Sequence, residues 1–304
     1  MKAVRSFSLL PFTFCLVFCC LSASLLTLSV AAQPRVGSEQ VAALLGRIGD
    51  RVERYYARAQ SVVCQETVRL QPMASDFGPA GPVRELVYEL RVAWDPAPSA
   101  DVPPEPTVTR LIRTVDGRPP RPGDQPGCMD PKAVASEPLA MLLAGRREQY
   151  AFSWRGTGRT DRRATVMLDY QTLASPAVDI TWRGECVSIS PGQTRGRVWI
   201  DAASDDVVRL DERLVTTVDV PIPRDLVRMS GPGWLNVERA DSSIRYRPVT
   251  FHDPDETVML PASVETLTII RGAAVPRLRQ THVFSKYQRF LTDVRIVQDP
   301  AAPQ

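Results

Sequence analysis

The stretch that decides the fold is GRVWID at residues 196–201, followed after Ala-Ala-Ser-Asp by DVVRLD at residues 206–211. Apolar and polar side chains alternate in both runs, which is typical of a β-strand with one buried face. Val198 and Ile200 share one face of the first run, and Leu210 lies on the corresponding face of the second. The small and acidic residues between the runs are typical of a turn. The pattern predicts a β-hairpin with one buried side and one solvent-facing side.

The same alternation recurs along most of the chain. Strands are predicted near residues 62–71, 86–94, 107–115, 149–155, 163–170, 178–186, 195–201, 206–217, 241–251, 256–270 and 277–290. This succession lacks the strand–helix–strand spacing of a parallel sheet, so it favours an antiparallel sheet with one covered face. The proline-rich segments 95–106, 117–127 and 219–233 are predicted to be loops, because proline cannot donate a hydrogen bond to a strand ladder.

Two helices are predicted beside these strands. Apolar residues recur at three- and four-residue spacing from Val41 to Ala59, and Ser38 is a suitable N-cap. The opposite face of this helix mixes acidic and basic residues, which favours packing on the sheet over binding to a membrane surface. A shorter helix is predicted near 136–145, with Ser136 as its cap. The predicted fold class is therefore α+β, with an antiparallel sheet, an N-terminal amphipathic helix and a short second helix.

The N-terminus has the features of an export signal. A basic start and an uncharged apolar stretch over residues 9–28 precede Val30-Ala31-Ala32, a small-residue pattern typical of a cleavage site. We expect residues 1–32 to be a signal peptide, residues 33–304 to form a single domain, and the protein to be periplasmic or secreted. The apolar stretch is also long enough to span a bilayer, so an uncleaved N-terminal membrane anchor is the alternative.

Charge excludes one broad class of partner. The chain has 37 basic and 34 acidic residues, and Lys2 and Arg5 are the charged residues within the predicted signal peptide. The processed chain is therefore close to neutral, and it lacks the basic excess that attracts nucleic acid or anionic lipid. We expect no nucleic-acid partner.

Three cysteines lie beyond the predicted signal peptide: Cys64, Cys128 and Cys186. None belongs to a Cys-x-x-Cys pair and the chain has two histidines, which argues against a zinc site. In an oxidising compartment one disulfide and one remaining thiol are expected. Cys64 falls within a predicted strand on the side of its apolar residues, so the predicted disulfide is Cys128–Cys186.

Candidate catalytic and metal-binding groups are few. His252-Asp253-Pro254-Asp255-Glu256 has oxygen and imidazole ligands that suit a divalent cation, but it also has the composition of a hairpin turn. Ser230 lacks the strand–turn–helix context of a hydrolase nucleophile. The sequence therefore predicts no catalytic residues, no metal and no cofactor. An enzyme centred on His252 or His282 is the alternative.

The hairpin and one later segment resemble a known family. Trp199-Ile200-Asp201, the basic residue Arg209 on the next strand, and the closing run Tyr287-Gln288-Arg289-Phe290 are similar to those of the periplasmic lipoprotein-carrier (LolA-like) superfamily and related secreted bacterial proteins. The resemblance implies a strongly curved antiparallel sheet, a half-barrel, whose concave side is covered by short helices. It also implies a hydrophobic cavity that accepts acyl chains, or a related module that senses or docks envelope proteins.

The functional hypothesis combines this resemblance with the strand pattern. A curved sheet must cover its concave face with helices or ligand. The residues predicted to line a ligand site there are Leu86, Tyr88, Leu90, Val92, Trp94, Tyr150, Phe152 and Trp154; the alternative is that they are core between sheet and helices. We expect an exported, non-catalytic protein that binds a hydrophobic ligand or a lipidated protein. A module that docks an envelope protein through outer strands and proline-rich loops is the first alternative, and an enzyme of unknown class is the second.

Overall fold

The computed structural model describes residues 37–289 apart from 59–61, 75, 95–105, 123, 125–136, 175–178, 184–185, 191, 226–232, 253–254 and 272–276. These described residues belong to one compact unit, Val36–Gln304. No helix within them is both long enough and apolar enough to cross a membrane.

Strands make up most of the described chain, and one long helix precedes them. Helix α1 is Ser38–Arg58, a 3-10 helix is Glu137–Leu142, and a single turn of helix, α2, is Ala144–Arg147. The strands are β1 (Val62–Met73), β2 (Arg84–Trp94), β3 (Pro106–Val115), β4 (Tyr150–Thr160), β5 (Arg163–Thr172), β6 (Asp179–Arg183), β7 (Cys186–Ser190), β8 (Thr194–Asp201), β9 (Val207–Leu214), β10 (Val218–Pro221), β11 (Trp234–His252), β12 (Asp255–Arg271) and β13 (Arg277–Arg289).

Eleven of these strands form one antiparallel sheet. Their order is β3-β2-β1-β13-β12-β11-β9-β8-β5-β4, and β10 pairs with the first part of β11. Strands β6 and β7 form a separate hairpin. Within the described residues the sheet is open, with β3 at one end and β4 at the other. The predicted α+β fold and half-barrel sheet are confirmed.

The hairpin that decides the fold forms as predicted. Val198 lies opposite Leu210 in the β8–β9 register, and both are buried. Asp201 holds the turn, because its carboxylate accepts hydrogen bonds from the backbone N–H groups of Ala203 and Ser204 at 2.9 and 3.3 Å. An aspartate that binds the backbone two residues ahead is typical of tight turns.

Helix α1 covers one face of the sheet. We call the face whose side chains pack against α1 the inner face, and the opposite face the outer face. The apolar stripe of α1 is buried together with the 3-10 helix in one cluster that also includes inner-face residues of the sheet: Val41, Leu44, Leu45, Ile48, Val52, Tyr56, Leu139, Met141, Leu142, Leu168, Val198, Ile200, Leu210, Ile244, Val264 and Phe284. We call this the α1 cluster. Burial of an aliphatic side chain contributes about 1.5–3 kcal/mol, so this contact fixes α1 on the sheet.

Three local predictions differ from the structure. The single strand predicted at 178–186 is two strands, β6 and β7, which pair with each other in antiparallel register. The predicted loop 219–233 includes most of β10, whose terminal Pro221 pairs with Trp234 at the end of a short strand, a position that tolerates proline. The second helix begins as a 3-10 helix at Glu137; its predicted cap, Ser136, lies outside the described residues.

Candidate functional site

The residues predicted to line a ligand site fall in two places on the inner face. Leu86 and Tyr88 are buried in a small cluster near β3, which also contains Val68, Leu70, Val115 and Leu278. The others with described side chains contact the α1 cluster; they are Leu90, Val92, Tyr150, Phe152 and Trp154. The side chain of Trp94 lies outside the described part. The structure thus brings five of the eight residues into contact with one cluster, and their role as a ligand wall stays a prediction.

Three of the residues that contact the α1 cluster are half-buried aromatic side chains on strand β4, at one end of the sheet. Tyr150, Phe152 and Trp154 alternate along the inner face, and we call them the aromatic row. The rings of Tyr150 and Phe152 lie 6.2 Å apart, and each lies 6.2–6.3 Å from the buried ring of Tyr170. These separations are typical of favourable aromatic contacts. The aromatic row therefore extends the apolar inner face to the last strand of the sheet.

A half-buried carboxyl group lies beside the aromatic row. The Tyr170 hydroxyl donates to Glu212 Oε2 at 3.0 Å, and the Thr194 hydroxyl donates to the same oxygen at 3.1 Å. Burial raises the pKa of Glu212, although both hydrogen bonds act in the opposite direction. Burial, and then the Glu212 charge, raise the pKa of Tyr170. The aromatic row therefore lies next to the Glu212 carboxyl group, which is hydrogen-bonded.

Gly196, the first residue of the deciding stretch, makes this arrangement possible. It lies between Tyr170 on β5 and Glu212 on β9. A Cβ atom there would lie 1.9 Å from the backbone oxygen of Asp211 and 2.6 Å from the Tyr170 hydroxyl. Only glycine leaves space for the Tyr170 side chain to reach across β8.

The outer face carries a cavity that sequence reasoning missed. Its volume is about 790 Å³, and we call it the outer-face cavity. Side chains that line it come from strands β4, β5, β8, β9, β11, β12 and β13, and include Ser153, Asp169, Gln171, Arg195, Arg197, Trp199, Asp211, Arg213, Asp241, Ser243, Glu265 and Arg279. Each strand shows an ordinary alternation of polar and apolar residues. The missing information was the order in which distant strands pair.

Trp199 is the aromatic centre of the outer-face cavity. The Arg209 guanidinium lies 4.6 Å from its ring centroid, and that of Arg197 lies 5.7 Å away. Each guanidinium is held in turn by a carboxylate: Arg197 Nε donates to Asp169 at 2.6 Å, and Arg209 Nη2 donates to Asp211 at 2.7 Å. Cation–π contact and paired charges therefore fix the orientation of the indole.

A second feature missed from the sequence is a buried ionic cluster on the inner face. Arg110 Nε and Nη2 donate to the two oxygens of Glu66 at 2.8 and 2.9 Å, and His282 Nδ1 lies 2.8 Å from Glu66 Oε1. The Glu66 side chain is fully buried, and those of His282 and Arg110 are 2% and 11% exposed. The sequence did contain a sign of this cluster. Glu66 lies on the same strand face as Cys64 and Val68, and a charged residue on an apolar face needs a partner. These three groups bind one another inside the core, which favours a structural role.

The other candidate residues are separate from these sites. His252 Nδ1, at the end of β11, lies 3.4 Å from Asp255 Oδ1, at the start of β12, and both side chains are almost fully exposed. Among the described residues, no group of three or more His, Cys, Asp or Glu side chains is placed to hold a metal ion. Asp253 and Ser230 lie outside the described residues, as do Cys128 and the side chain of Cys186, so the predicted disulfide stays a prediction. Cys64 is buried and unpaired, and burial raises the pKa of its thiol to about 12.

Comparison with known proteins gives a likeness of fold alone. No family model and no curated protein matches the chain. Similar solved structures include a domain described as an outer membrane lipoprotein-sorting protein from Vibrio parahaemolyticus (8% identity, 81% of this chain and 91% of that chain covered, TM-score 0.38). A LolA superfamily protein from Nitrosomonas europaea has 11% identity, coverage of 82% and 95%, and a TM-score of 0.34. A DUF1329 family protein from Desulfovibrio piger has 8% identity, coverage of 84% and 94%, and a TM-score of 0.37.

One of these structures belongs to the superfamily that the hairpin and the closing strand resemble. At such identities and scores the likeness concerns the path of the chain and carries no conclusion about ligand or partner. The class that the fold itself defines is an open antiparallel half-barrel with a helix on its inner face.

Proposed function

We propose that this chain is an exported, non-catalytic binding protein of the cell envelope. Its ligand is a hydrophobic molecule, or the acyl chain of a lipidated protein, held against the inner face of the sheet. The observation that supports this most is the aromatic row, three half-buried rings that continue the α1 cluster to the end of the sheet. A half-buried apolar surface beside a core gains free energy when a ligand covers it, at about 25 cal/mol for each Å² removed from water.

The position of α1 determines how a ligand enters. Because α1 and the 3-10 helix already cover the inner face, an acyl chain either extends this layer at β4 or displaces α1. Helix α1 is tied to the β8–β9 turn by Arg47 Nε, which donates to Asp205 at 2.9 Å, and by Arg51 Nε, which donates to the Ser204 backbone oxygen at 2.8 Å. The Arg47 side chain is 58% exposed, and exposed ion pairs contribute about 1 kcal/mol or less.

Displacement of α1 would also expose its buried apolar stripe, so extension of the layer at β4, with at most the polar tie released, is the less costly route. Each buried CH2 group contributes about 0.8 kcal/mol, so two methylenes offset the loss of an exposed ion pair. The remaining methylenes then supply the affinity, less the loss of translational and conformational freedom on binding. The carboxyl group of Glu212 and the Tyr170 hydroxyl lie beside the aromatic row and provide hydrogen-bonding groups for the polar end of such a ligand.

A fluorescent fatty acid tests the proposal. The full chain is expressed with its leader, and the processed protein is purified without detergent and titrated with 11-(dansylamino)undecanoic acid. We expect saturable binding with a blue-shifted emission, and we expect Trp154→Ala to weaken it about tenfold, since 1.4 kcal/mol of lost contact corresponds to that factor. Trp234→Ala is the matched control, because Trp234 is 47% exposed on β11 and is not part of the aromatic row. Absence of saturable binding, or equal loss in both variants, would contradict an inner-face site.

A protein-docking module is the second candidate. The observation that favours it is β4 itself, which has eleven residues and, within the described residues, pairs with β5 alone. A free strand edge is a template for an added strand from a partner. Failure to bind the fatty acid, together with capture of an extended peptide by wild-type protein but not by a Ser153→Pro variant, would favour this function.

A further inference from the structure

Two arginines of the outer-face cavity lack a neutralising partner. Arg195 on β8 and Arg213 on β9 are directly opposite each other in the strand register, and both are exposed. Neither makes an ion pair with any described residue. Side chains of directly opposed residues in antiparallel strands are neighbours, and like charges in such a pair are destabilising. An anion between the two guanidinium groups would relieve this repulsion.

The acids around the cavity are already engaged elsewhere. Four of them face outward, and each is paired with an arginine other than these two: Asp169 with Arg197, Asp211 with Arg209, Asp241 with Arg239, and Glu265 with Arg279. Glu212 accepts hydrogen bonds from Tyr170 and Thr194 beside the aromatic row. Among the charged side chains that line the cavity, Arg195 and Arg213 are thus the two arginines that no described carboxylate pairs with.

We propose that Arg195 and Arg213 hold the phosphate or carboxylate group of a small organic anion in the outer-face cavity. Guanidinium groups bind both kinds of oxyanion through paired hydrogen bonds. Gln171 is the register neighbour of Arg195 on β5 and adds an amide donor at the same end of the cavity. Arg195 and Arg213 lie on the outer face and the aromatic row lies on the inner face, but Phe152, Tyr170 and Glu212 also line this cavity, so the two proposed sites adjoin each other.

The cavity indicates what the rest of the ligand is. Its volume of about 790 Å³ is within the range of small-molecule sites, and it is much larger than a single phosphate ion. Trp199 lies four residues from Arg195 on the same strand, a distance of about 13 Å at 3.3 Å per residue. Its fixed indole suits a planar group. Ser153 and Ser243 also line the cavity. Their hydroxyl groups suit a polar segment of the ligand that joins the anionic group to the planar group.

Calorimetry with two simple probes tests the site. The processed protein is titrated at low ionic strength with inorganic phosphate and, separately, with acetate; the tighter probe identifies the group that the arginines prefer. We expect one saturable site that weakens about tenfold or more in Arg195→Gln and in Arg213→Gln, a loss of at least 1.4 kcal/mol. Arg69→Gln is the matched control, because Arg69 is exposed on the outer face of β1 and is paired with Glu85. Absence of saturation by both probes, or equal affinity in all variants, would overturn the proposal.

Thermal unfolding gives a second readout that does not depend on calorimetric heat. Without phosphate, Arg213→Gln should unfold at the same temperature as wild type or higher, since the opposed charge is removed. Phosphate should raise the unfolding temperature of wild type and of Arg69→Gln but not that of Arg195→Gln/Arg213→Gln. An equal rise in all proteins would mean a general salt effect and would refute a specific site. Binding of the fatty-acid probe should be the same in these variants, which keeps the two proposals separable.

Discussion

The buried ionic cluster provides the sharpest test of how this sheet is held together. Glu66→Gln keeps the shape of the side chain but removes its charge, and leaves Arg110 and His282 one accepting oxygen in place of two. Removal of one member of a buried ion pair costs about 3–5 kcal/mol, because the remaining charge stays uncompensated in the core. Arg110 retains 11% exposure and so some access to water, which places the expected loss near the lower end, about 3 kcal/mol.

The matched control is another glutamate–arginine pair in the same sheet. Glu85 on β2 accepts a hydrogen bond from Arg69 at 2.9 Å, but the two side chains are 37% and 63% exposed. Exposed pairs of this kind contribute about 0–1 kcal/mol, so Glu85→Gln should hardly change the free energy of unfolding. The contrast between the two variants isolates the effect of burial from that of the substitution.

Urea unfolding followed by circular dichroism measures both variants. The midpoint of Glu66→Gln should fall well below that of wild type with an unchanged slope, while that of Glu85→Gln should not move. A double variant, Glu66→Leu with Arg110→Met, should recover part of the loss, since it leaves no unpaired charge on β1 or β3. Equal midpoints for Glu66→Gln and Glu85→Gln would refute the account of a tightly coupled buried cluster.

Four further predictions concern single residues. Burial raises the folded-state pKa of Glu212 above its unfolded value, so its contribution to stability is full at low pH and is lost as pH rises through the folded pKa. Glu212→Gln should therefore raise the free energy of unfolding at pH 8 but not at pH 4; an equal change at both values would contradict this. The Cys64 thiol, whose pKa burial raises to about 12, should resist iodoacetamide at pH 8 until the chain is unfolded, as peptide mapping would show. Gly196→Ala should cost about 1–3 kcal/mol, because its Cβ would meet the Asp211 backbone oxygen. Gly46→Ala in α1 meets no atom within 4 Å and should instead stabilise the protein by about 0.5–1 kcal/mol in the same urea assay.

The parts of the fold that the sequence predicted are those determined by local pattern. The alternation around Val198 and Leu210 predicts the β8–β9 hairpin, and the helical spacing from Val41 predicts α1, because neighbouring residues determine both. The order of strands was not predictable in the same way. Residue Val62 in β1 pairs with Arg289 in β13 and with Val92 in β2, and no local signal relates the first pair.

The candidate sites show the same limit. Glu66 binds Arg110 and His282, which are 44 and 216 residues further along the chain. Its position on an apolar strand face indicated a partner but could not identify one. In the sequence Arg195 and Arg213 each have the pattern of ordinary exposed strand residues. Only the β8–β9 register shows that they lie directly opposite each other. The aromatic row was predicted because period-two alternation is a property of one strand.

Native mass spectrometry of the protein, expressed as the full chain and purified without detergent, followed by lipid extraction, tests the central claim most directly. The inner-face binding account predicts a bound acyl species of defined mass, and its loss from Trp154→Ala but not from Trp234→Ala. A protein at its bare calculated mass, with no lipid recovered from either sample, would contradict this account and favour docking of a protein partner at β4.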